Sequence, residues 1–176
     1  QHDENDPNSI ANDIARIVMT DSKGRVWIGT RDGLSYYDEE KDKFQNFFYE
    51  KNGKHLQVNG IVELSPDRLL ISTLEGLTMF DVSTSRFVND IFSTAMHKTI
   101  ASALYRHGDQ IYIGTPSDGM YCYSVPQKKL EKLTYIPSSK QIQGILQQSP
   151  TRIWVATEGS GLLLINPKTR EVKIYR

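Results

Sequence analysis

The side chains that could do chemistry in this chain are few and irregularly placed. The single cysteine, Cys122, excludes an internal disulfide and a cysteine-based zinc site. It stands between two tyrosines, and we expect it to be a small buried hydrophobic residue. No pair of histidines has the spacing of metal ligands on one helix face. We therefore predict no metal site and place all four in surface loops: His2, His55, His97 and His107.

The carboxylates and glycines do not form a catalytic or phosphate-binding motif either. The run Asp38-Glu39-Glu40 is predicted to be a solvated turn rather than an acid–base pair. Residues 158–161, EGSG, lack the lysine and the helix that follow a phosphate loop, and there is no G-x-S-x-G nucleophile motif. The sequence therefore predicts no enzyme active site and no cofactor.

Polar residues recur in register along the chain. Successive threonines are 43, 42 and 42 residues apart, and successive glycines are 43, 43 and 42 apart. The two series are Thr30, Thr73, Thr115 and Thr157, and Gly33, Gly76, Gly119 and Gly161. Two markers that keep one period over four copies indicate an internal repeat. We interpret the threonine hydroxyls as strand-end hydrogen-bond donors rather than as a ring of ligand-binding groups.

The short loops after these threonines differ between copies, and variable loops on a repeated scaffold are where binding specificity usually lies. Polar side chains in such loops orient a ligand by hydrogen bonds. The candidate ligand-binding residues are therefore the charged side chains of these loops: Arg31, Asp32, Glu75, Asp118 and Glu158.

The elements that position these loops are short strands. Each copy is predicted to contain four strands joined by turns, such as Asp21-Ser22-Lys23-Gly24 in the first copy. Four strands every ~40 to 45 residues is the spacing of β-propeller blades. One position of the second strand is always large and is predicted to lie in the core between blades: Trp27, Leu70, Tyr112 and Trp154. On the third strands, Tyr37 and Tyr123 are predicted on one face, and Tyr36 and Tyr121 on the other.

We predict an all-β propeller fragment of four blades, at 14–55, 56–98, 99–139 and 140–176, after a 1–13 linker from a preceding blade. Residues 93–103 are expected to form a short turn at most. Four blades is the low end of the closed range, so we interpret the chain as an open part of a larger ring. An open arc exposes two apolar faces, which are expected to contact neighbouring blades or a second copy.

Composition excludes several classes of function. Lys plus Arg and Asp plus Glu both total 21, so the chain lacks the basic excess of a nucleic-acid-binding protein. Its apolar runs are far shorter than the ~20 residues that span a bilayer, so membrane contact is expected only through a parent chain. The polar first thirteen residues show no targeting segment.

Residues 21–30, DSKGRVWIGT, with the Gly33-Leu34 and Tyr37-Asp38 pairs, resemble the two-component regulator propeller repeat. The later copies match less closely, with Leu70 and Tyr112 in place of tryptophan. The resemblance implies the periplasmic sensor region of an inner-membrane hybrid histidine kinase that acts in transcription regulation. It further implies two stacked seven-bladed propellers, an ectodomain dimer and responses to oligosaccharides from complex glycans. No residue of this chain is expected to have a phosphotransfer role.

Two alternatives stay open at the level of the sequence. One is a stand-alone protein-interaction propeller, and the other is a propeller lyase or glycosidase with acidic residues at the central channel. The predicted innermost strands, residues 14–20, 58–64, 100–106 and 142–148, contain Glu63 as their only acidic residue. That count disfavours the enzyme.

Overall fold

The computed structural model describes residues 1–51, 53–88, 99–137 and 141–176, and this part of the chain is built of β-strands. It contains no helix that is long and apolar enough to cross a membrane. The chain divides into two compact units, Gln1–Ile100 and Ala101–Arg176. Of the short turn expected at 93–103, residues 93–98 lie outside the described residues.

The described strands form four antiparallel four-stranded sheets, each paired in chain order, and one small hairpin. In unit 1, sheet 1 contains β1 (Ala15–Thr20), β2 (Val26–Thr30), β3 (Leu34–Asp38) and β4 (Lys43–Phe47). The hairpin of β5 (Glu50–Lys51) and β6 (Lys54–His55) follows. Sheet 2 contains β7 (Val58–Ser65), β8 (Arg68–Thr73), β9 (Gly76–Asp81) and β10 (Arg86–Val88).

Unit 2 repeats the four-stranded pattern twice. Sheet 3 contains β11 (Ala103–His107), β12 (Gln110–Gly114), β13 (Met120–Ser124) and β14 (Lys129–Lys132). Sheet 4 contains β15 (Ile142–Ser149), β16 (Arg152–Thr157), β17 (Gly161–Asn166) and β18 (Glu171–Tyr175). The predicted all-β architecture of four antiparallel four-stranded sheets is confirmed.

Local chemistry explains the turns. Between β1 and β2, the Asp21 carboxylate accepts the backbone N–H of Lys23 at 3.0 Å, and Gly24 has a positive φ of 78°. Between the third and fourth strands, every sheet places a non-glycine residue in the left-handed region at the same repeat position: Asp42, Ser85, Lys128 and Arg170. The same backbone conformation therefore recurs at one position in all four outer hairpins.

The core of unit 1 lies between sheets 1 and 2. Trp27, 2% exposed, packs from sheet 1 against Phe80 of sheet 2, with ring centroids 5.7 Å apart. Gly29 permits this close packing, because a Cβ built there would lie only 2.6 Å from Cγ1 of Val58, at the start of sheet 2. Residues of sheet 2 in this core, such as Leu69 and Ile71, are fully buried.

The core of unit 2 lies between sheets 3 and 4 and follows the same plan. Tyr112 and Met120 of sheet 3 pack with Ile153 and Ile165 of sheet 4. Gly114 again admits the first strand of the next sheet, since a Cβ there would lie 2.5 Å from the side chain of Ile142. A glycine directly before the threonine, Gly29 in sheet 1 and Gly114 in sheet 3, therefore permits the close approach of the next sheet within each unit.

One prediction about aromatic residues needs correction, whereas that for Trp154 stays a prediction: Trp154 is half-buried on the face of sheet 4 opposite to the buried Ile153 and Val155. Tyr121 lies on the same face as Tyr123 and not opposite it, because the two are separated by one residue on β13. The residue equivalent to Tyr36 is Cys122, which pairs with Tyr112 as Tyr36 pairs with Trp27.

Candidate functional site

The four repeated threonines have a structural role at the strand ends. Each hydroxyl donates to the carbonyl oxygen of the repeated glycine that follows, at 2.8 to 3.1 Å. In three copies the threonine hydroxyl also accepts a hydrogen bond from a backbone N–H group in the intervening loop. The donors are the N–H groups of Asp32, Glu75 and Asp118. These hydrogen bonds hold the loop between the second and third strands in a fixed conformation, so its side chains start from a rigid base.

Three of the five candidate ligand-binding residues line one open groove in unit 1. Arg31 and Asp32 come from the β2–β3 loop, and Glu75 comes from the β8–β9 loop. We call this the rim groove; its volume is about 600 Å³. The remaining wall contains Lys54 and His55 of the β5–β6 hairpin, together with Leu56, Gln57 and Leu74. Sequence reasoning missed the hairpin, although its Asn52-Gly53 dipeptide is a strong hairpin signal.

The groove residues are positioned by their neighbours. Asn12 donates to Oδ2 of Asp32 at 2.7 Å, and its own Oδ1 accepts the backbone N–H of Ile14 at 2.8 Å. The backbone N–H of Arg31 donates to the carbonyl of Ile14 at 3.0 Å. The Arg31 guanidinium itself is exposed and forms no ion pair or hydrogen bond with the residues that the structure describes.

Apolar surface borders the same groove. The imidazole of His55 stacks on the ring of Phe48, with centroids 4.3 Å apart and an angle of 19° between the ring planes. Phe48 is 45% exposed, and Leu74 in the groove wall is 55% exposed. The groove therefore combines planar donors, planar acceptors and a flat apolar surface. That combination suits a polyhydroxylated ligand, whose hydroxyls need paired hydrogen bonds and whose ring faces need apolar contact.

The other two candidates, Asp118 and Glu158, lie in unit 2 and do not line the rim groove. Lys132 and Tyr121 both donate to the Asp118 carboxylate, and these hydrogen bonds lower the pKa of Asp118. The hydrogen bond between the Tyr121 hydroxyl and Asp118 also raises the pKa of Tyr121 to about 12. Glu158 accepts only a hydrogen bond of 3.2 Å from Gln143 in the described part of the chain. The two carboxylates share no partner and form no common site.

Other titratable groups have local roles. No group of three or more His, Cys, Asp or Glu residues in the described part of the chain is arranged to hold a metal ion. His97 lies outside the described residues. The predicted solvated turn at 38–40 needs correction at Asp38, which is buried. Its carboxylate accepts Lys41 Nζ at 2.7 Å, and this hydrogen bond lowers the pKa of Asp38.

The structure also identifies a buried acceptor that sequence reasoning missed. Asp21 Oδ2 accepts Trp27 Nε1 at 2.9 Å and Arg25 Nε at 2.6 Å. In the fourth copy, Gln148 Oε1 accepts Trp154 Nε1 at 2.9 Å and Arg152 Nε at 3.1 Å. The acceptor stands six residues before the tryptophan in both copies. The other two copies, which lack the tryptophan, have Leu64 and Arg106 at that position, so the sequence did contain a signal.

Comparison with solved structures shows that the fold is similar to that of several extracellular domains. The chain matches two extracellular domains that are assigned to hybrid two-component systems of B. thetaiotaomicron, with TM-scores of 0.77 and 0.73 at 21% and 22% identity. The matches cover 97% and 94% of this chain but 23% of each of those chains. The chain thus spans about a quarter of their length.

A third neighbour is PorZ of Porphyromonas gingivalis, a surface component of the type-IX secretion system, with a TM-score of 0.64 and 16% identity. That match covers 92% of this chain and 27% of PorZ. No protein-family model and no curated protein matches the chain. The first two neighbours are extracellular domains of the class whose propeller repeat the sequence resembles, and at these identities the likeness establishes the fold.

Proposed function

We propose that this chain is a segment of the periplasmic sensor region of an inner-membrane hybrid two-component regulator. The observation that carries the proposal is the match over 97% of the chain to an extracellular domain that is assigned to a hybrid two-component system. The segment 21–30, DSKGRVWIGT, which resembles the propeller repeat of such systems, supports it. In this role the segment has no catalytic residue of its own, and the kinase belongs to the parent chain.

The rim groove is the part of the segment that we assign to ligand binding, and the ligand class that we propose is a glycan-derived oligosaccharide. Two cations and two carboxylates line it, so its lining has no net charge: Arg31, Lys54, Asp32 and Glu75. Balanced donors and acceptors beside the apolar surface of Phe48 and Leu74 favour a neutral sugar. Its volume of about 600 Å³ lies within the range of ~300–1,000 Å³ that is typical of small-molecule sites.

Signalling then requires that the ligand prefer one arrangement of two ectodomains over another, because a ligand with equal affinity for both shifts nothing. Dimer formation by the parent ectodomain is part of this proposal. The arrangement of the ectodomains that the bound sugar favours would set the activity of the kinase, and the kinase would in turn regulate transcription.

The DNA on both sides of the coding segment tests the sensor role. We expect further repeats of ~42 residues, an apolar span of ~20 residues and a histidine kinase in the same reading frame. A frame that has no apolar span and no kinase would refute the sensor role and favour a stand-alone interaction propeller.

Binding of neutral oligosaccharides tests the groove separately. The matched variants are Glu75→Gln and Asp67→Asn, which lie after and before the same strand, β8. Six residues of extended chain place these positions ~20 Å apart. We expect Glu75→Gln to weaken binding about tenfold, because it replaces a charged acceptor, and Asp67→Asn to have no effect. Equal effects of the two variants in calorimetric titration would refute the groove assignment.

A further inference from the structure

The third repeat replaces two aromatic residues and thereby opens a crevice between sheets 3 and 4. In sheet 1, Trp27 and its partner Tyr36 fill this position, with ring centroids 5.3 Å apart. In sheet 3 the same paired positions carry Tyr112 and Cys122, whose side chains are smaller. A crevice of about 290 Å³ lies there, entirely within unit 2.

The crevice has an aromatic floor and a charged mouth. Tyr112, Cys122 and Tyr135 line its deeper part, and Glu131 and Arg170 line the exposed part. Burial raises the pKa of the Cys122 thiol to about 11. The thiol is therefore protonated near neutral pH and is a poor nucleophile, so binding there is non-covalent.

Pairing of the charges leaves one cation for a ligand. Glu131 accepts Lys129 Nζ at 2.5 Å, and Lys132 donates to Asp118. These two pairs cancel in charge. The guanidinium of Arg170 forms no ion pair or hydrogen bond with any side chain in the described ranges, although it interacts with the Glu131 carboxylate at longer range. The charged residues that line the crevice, Glu131, Lys132 and Arg170, therefore sum to one positive charge.

The backbone holds Arg170 in place. It occupies the left-handed position of the β17–β18 turn, with φ of 64°, and its N–H donates to the carbonyl of Asn166 at 2.8 Å. The Asn166 side chain accepts the N–H of Lys168 at 3.0 Å in the same turn. A cation on such a hydrogen-bonded turn loses little backbone freedom when it binds an anion.

The polar groups in the deeper part of the crevice can donate hydrogen bonds, whereas Glu131 at the mouth is an acceptor. Tyr112 is 4% exposed, and its hydroxyl has no hydrogen-bond partner among the described residues; the same holds for the hydroxyl of Tyr135. Burial raises the pKa of both phenols, so they keep their protons near neutral pH. Gln110 Oε1 already accepts the Cys122 thiol at 2.8 Å, which leaves the amide N–H groups of Gln110 to donate.

We propose that this crevice is a binding site for a small molecule that carries a carboxylate group. The carboxylate accepts from the Arg170 guanidinium, with which it matches in planar geometry. The body of the ligand packs against the rings of Tyr112 and Tyr135. The site is independent of the rim groove, since it shares no residue with it and takes an anionic rather than a neutral ligand.

The test is titration of the whole chain, followed by ¹H–¹⁵N NMR, with two carboxylates and their neutral counterparts. The pairs are galacturonate with galactose, and benzoate with benzyl alcohol. We expect at least one carboxylate to shift the amide signals around Arg170 and Tyr135 while its neutral counterpart does not. No shift with either carboxylate, or an equal shift with the neutral compound, would overturn the proposal. Inorganic sulfate that binds as tightly as the carboxylates would show a non-selective anion contact and would also overturn it.

Three variants locate the site. Arg170→Gln should weaken carboxylate binding about tenfold or more, because it removes the charged donor. Lys168→Gln, in the same turn but outside the crevice lining, should leave the affinity unchanged. Cys122→Tyr restores the residue of the first repeat and should abolish binding by filling the crevice. Binding that survives both the Arg170 and the Cys122 substitutions, in variants whose amide spectra stay dispersed, would place the ligand elsewhere.

Discussion

Removal of the Asp21 carboxylate should destabilise unit 1 far more than removal of its counterpart in the fourth repeat destabilises unit 2. Asp21 accepts four hydrogen bonds, from Trp27 Nε1, Arg25 Nε and the backbone N–H groups of Lys23 and Arg25. The carboxylate is fully buried and Trp27 is 2% exposed. The variant Asp21→Ala therefore leaves a buried indole N–H without an acceptor.

The expected magnitude follows from burial. A buried donor left unpaired costs ~1–3 kcal/mol, and a hydrogen bond to a charged group contributes ~1.5–3 kcal/mol. These two free-energy costs overlap, and the Arg25 side chain can still form hydrogen bonds with water. We therefore expect Asp21→Ala to lower the free energy of unfolding by about 3 kcal/mol. Gln148 makes the equivalent hydrogen bonds in an exposed place, where water replaces the lost acceptor. Gln148→Ala should therefore cost only ~0.5–1 kcal/mol.

The two tryptophans of the chain make the assay specific, because Trp27 lies in unit 1 and Trp154 in unit 2. Urea unfolding is followed by the fluorescence of Trp27 in a Trp154→Phe background, and the reverse arrangement monitors unit 2. Asp21→Ala should shift the Trp27 transition. Asp67→Ala is the control on the same surface, since it removes an exposed ion pair with Lys23 at 2.8 Å and a longer one with Arg25 at 3.9 Å. Each of these pairs is worth ~0.2–1 kcal/mol.

Two results would refute this reasoning. Equal losses of stability from Asp21→Ala and Gln148→Ala would show that burial does not set the strength of these hydrogen bonds. The second refuting result would come from a double-mutant cycle of Asp21→Ala with Trp27→Phe. In this cycle the unfolding of unit 1 is monitored by tyrosine fluorescence and amide signals. We expect a coupling energy of about 1–2 kcal/mol, and strictly additive losses would show that the two side chains do not interact.

Two further predictions concern close packing and pH. Gly29→Ala should lower the free energy of unfolding of unit 1 by about 2 kcal/mol in urea titration, because its Cβ would lie 2.6 Å from the first strand of sheet 2. Gly144→Ala, whose Cβ would be 3.9 Å from its nearest neighbour, should change stability by less than ~0.5 kcal/mol. Burial raises the pKa of Asp21, but hydrogen bonds from Trp27, Arg25 and Lys23 outweigh it and lower the pKa below 3.8. The resulting stabilisation is present above about pH 4 and is lost as pH falls through the native pKa, so Asp21→Asn should show a shallower loss of stability below pH 4.

Each of these predictions has its own contrary outcome. A Gly29→Ala variant as stable as Gly144→Ala would mean that the sheets of unit 1 can separate at little cost. Parallel curves of stability against pH for the native chain and the Asp21→Asn variant would mean that Asp21 does not titrate with a lowered pKa.

The architecture could be predicted from the sequence alone, because the same pattern of residues occurs in four copies. Threonine and glycine in register mark where the second strand ends and the third begins, and the turn residues mark the hairpins. The hydrogen bond from each threonine to its glycine requires only neighbours three or four residues apart, as between Thr73 and Gly76. Such local rules are readable from sequence because the interacting groups are close along the chain.

The candidate site was predictable only in part, for the opposite reason. The loops of Arg31, Asp32 and Glu75 were identified as variable, but only the packing of sheets 1 and 2 brings residues from copies 43 positions apart to one groove. Sequence could not separate these three from Asp118 and Glu158, which belong to unit 2 and have other partners.

Only the tertiary structure decided what the departures from the repeat do. The replacement of a tyrosine by Cys122 reads in the sequence as a weaker match, yet between packed sheets it leaves a crevice, because no neighbour fills the lost volume. The same distinction separates Asp21 from Gln148, whose spacing to tryptophan is identical. Asp21 is buried beside sheet 2, whereas Gln148 is exposed to solvent in this chain. Burial depends on how the sheets pack and not on the spacing of residues along the chain.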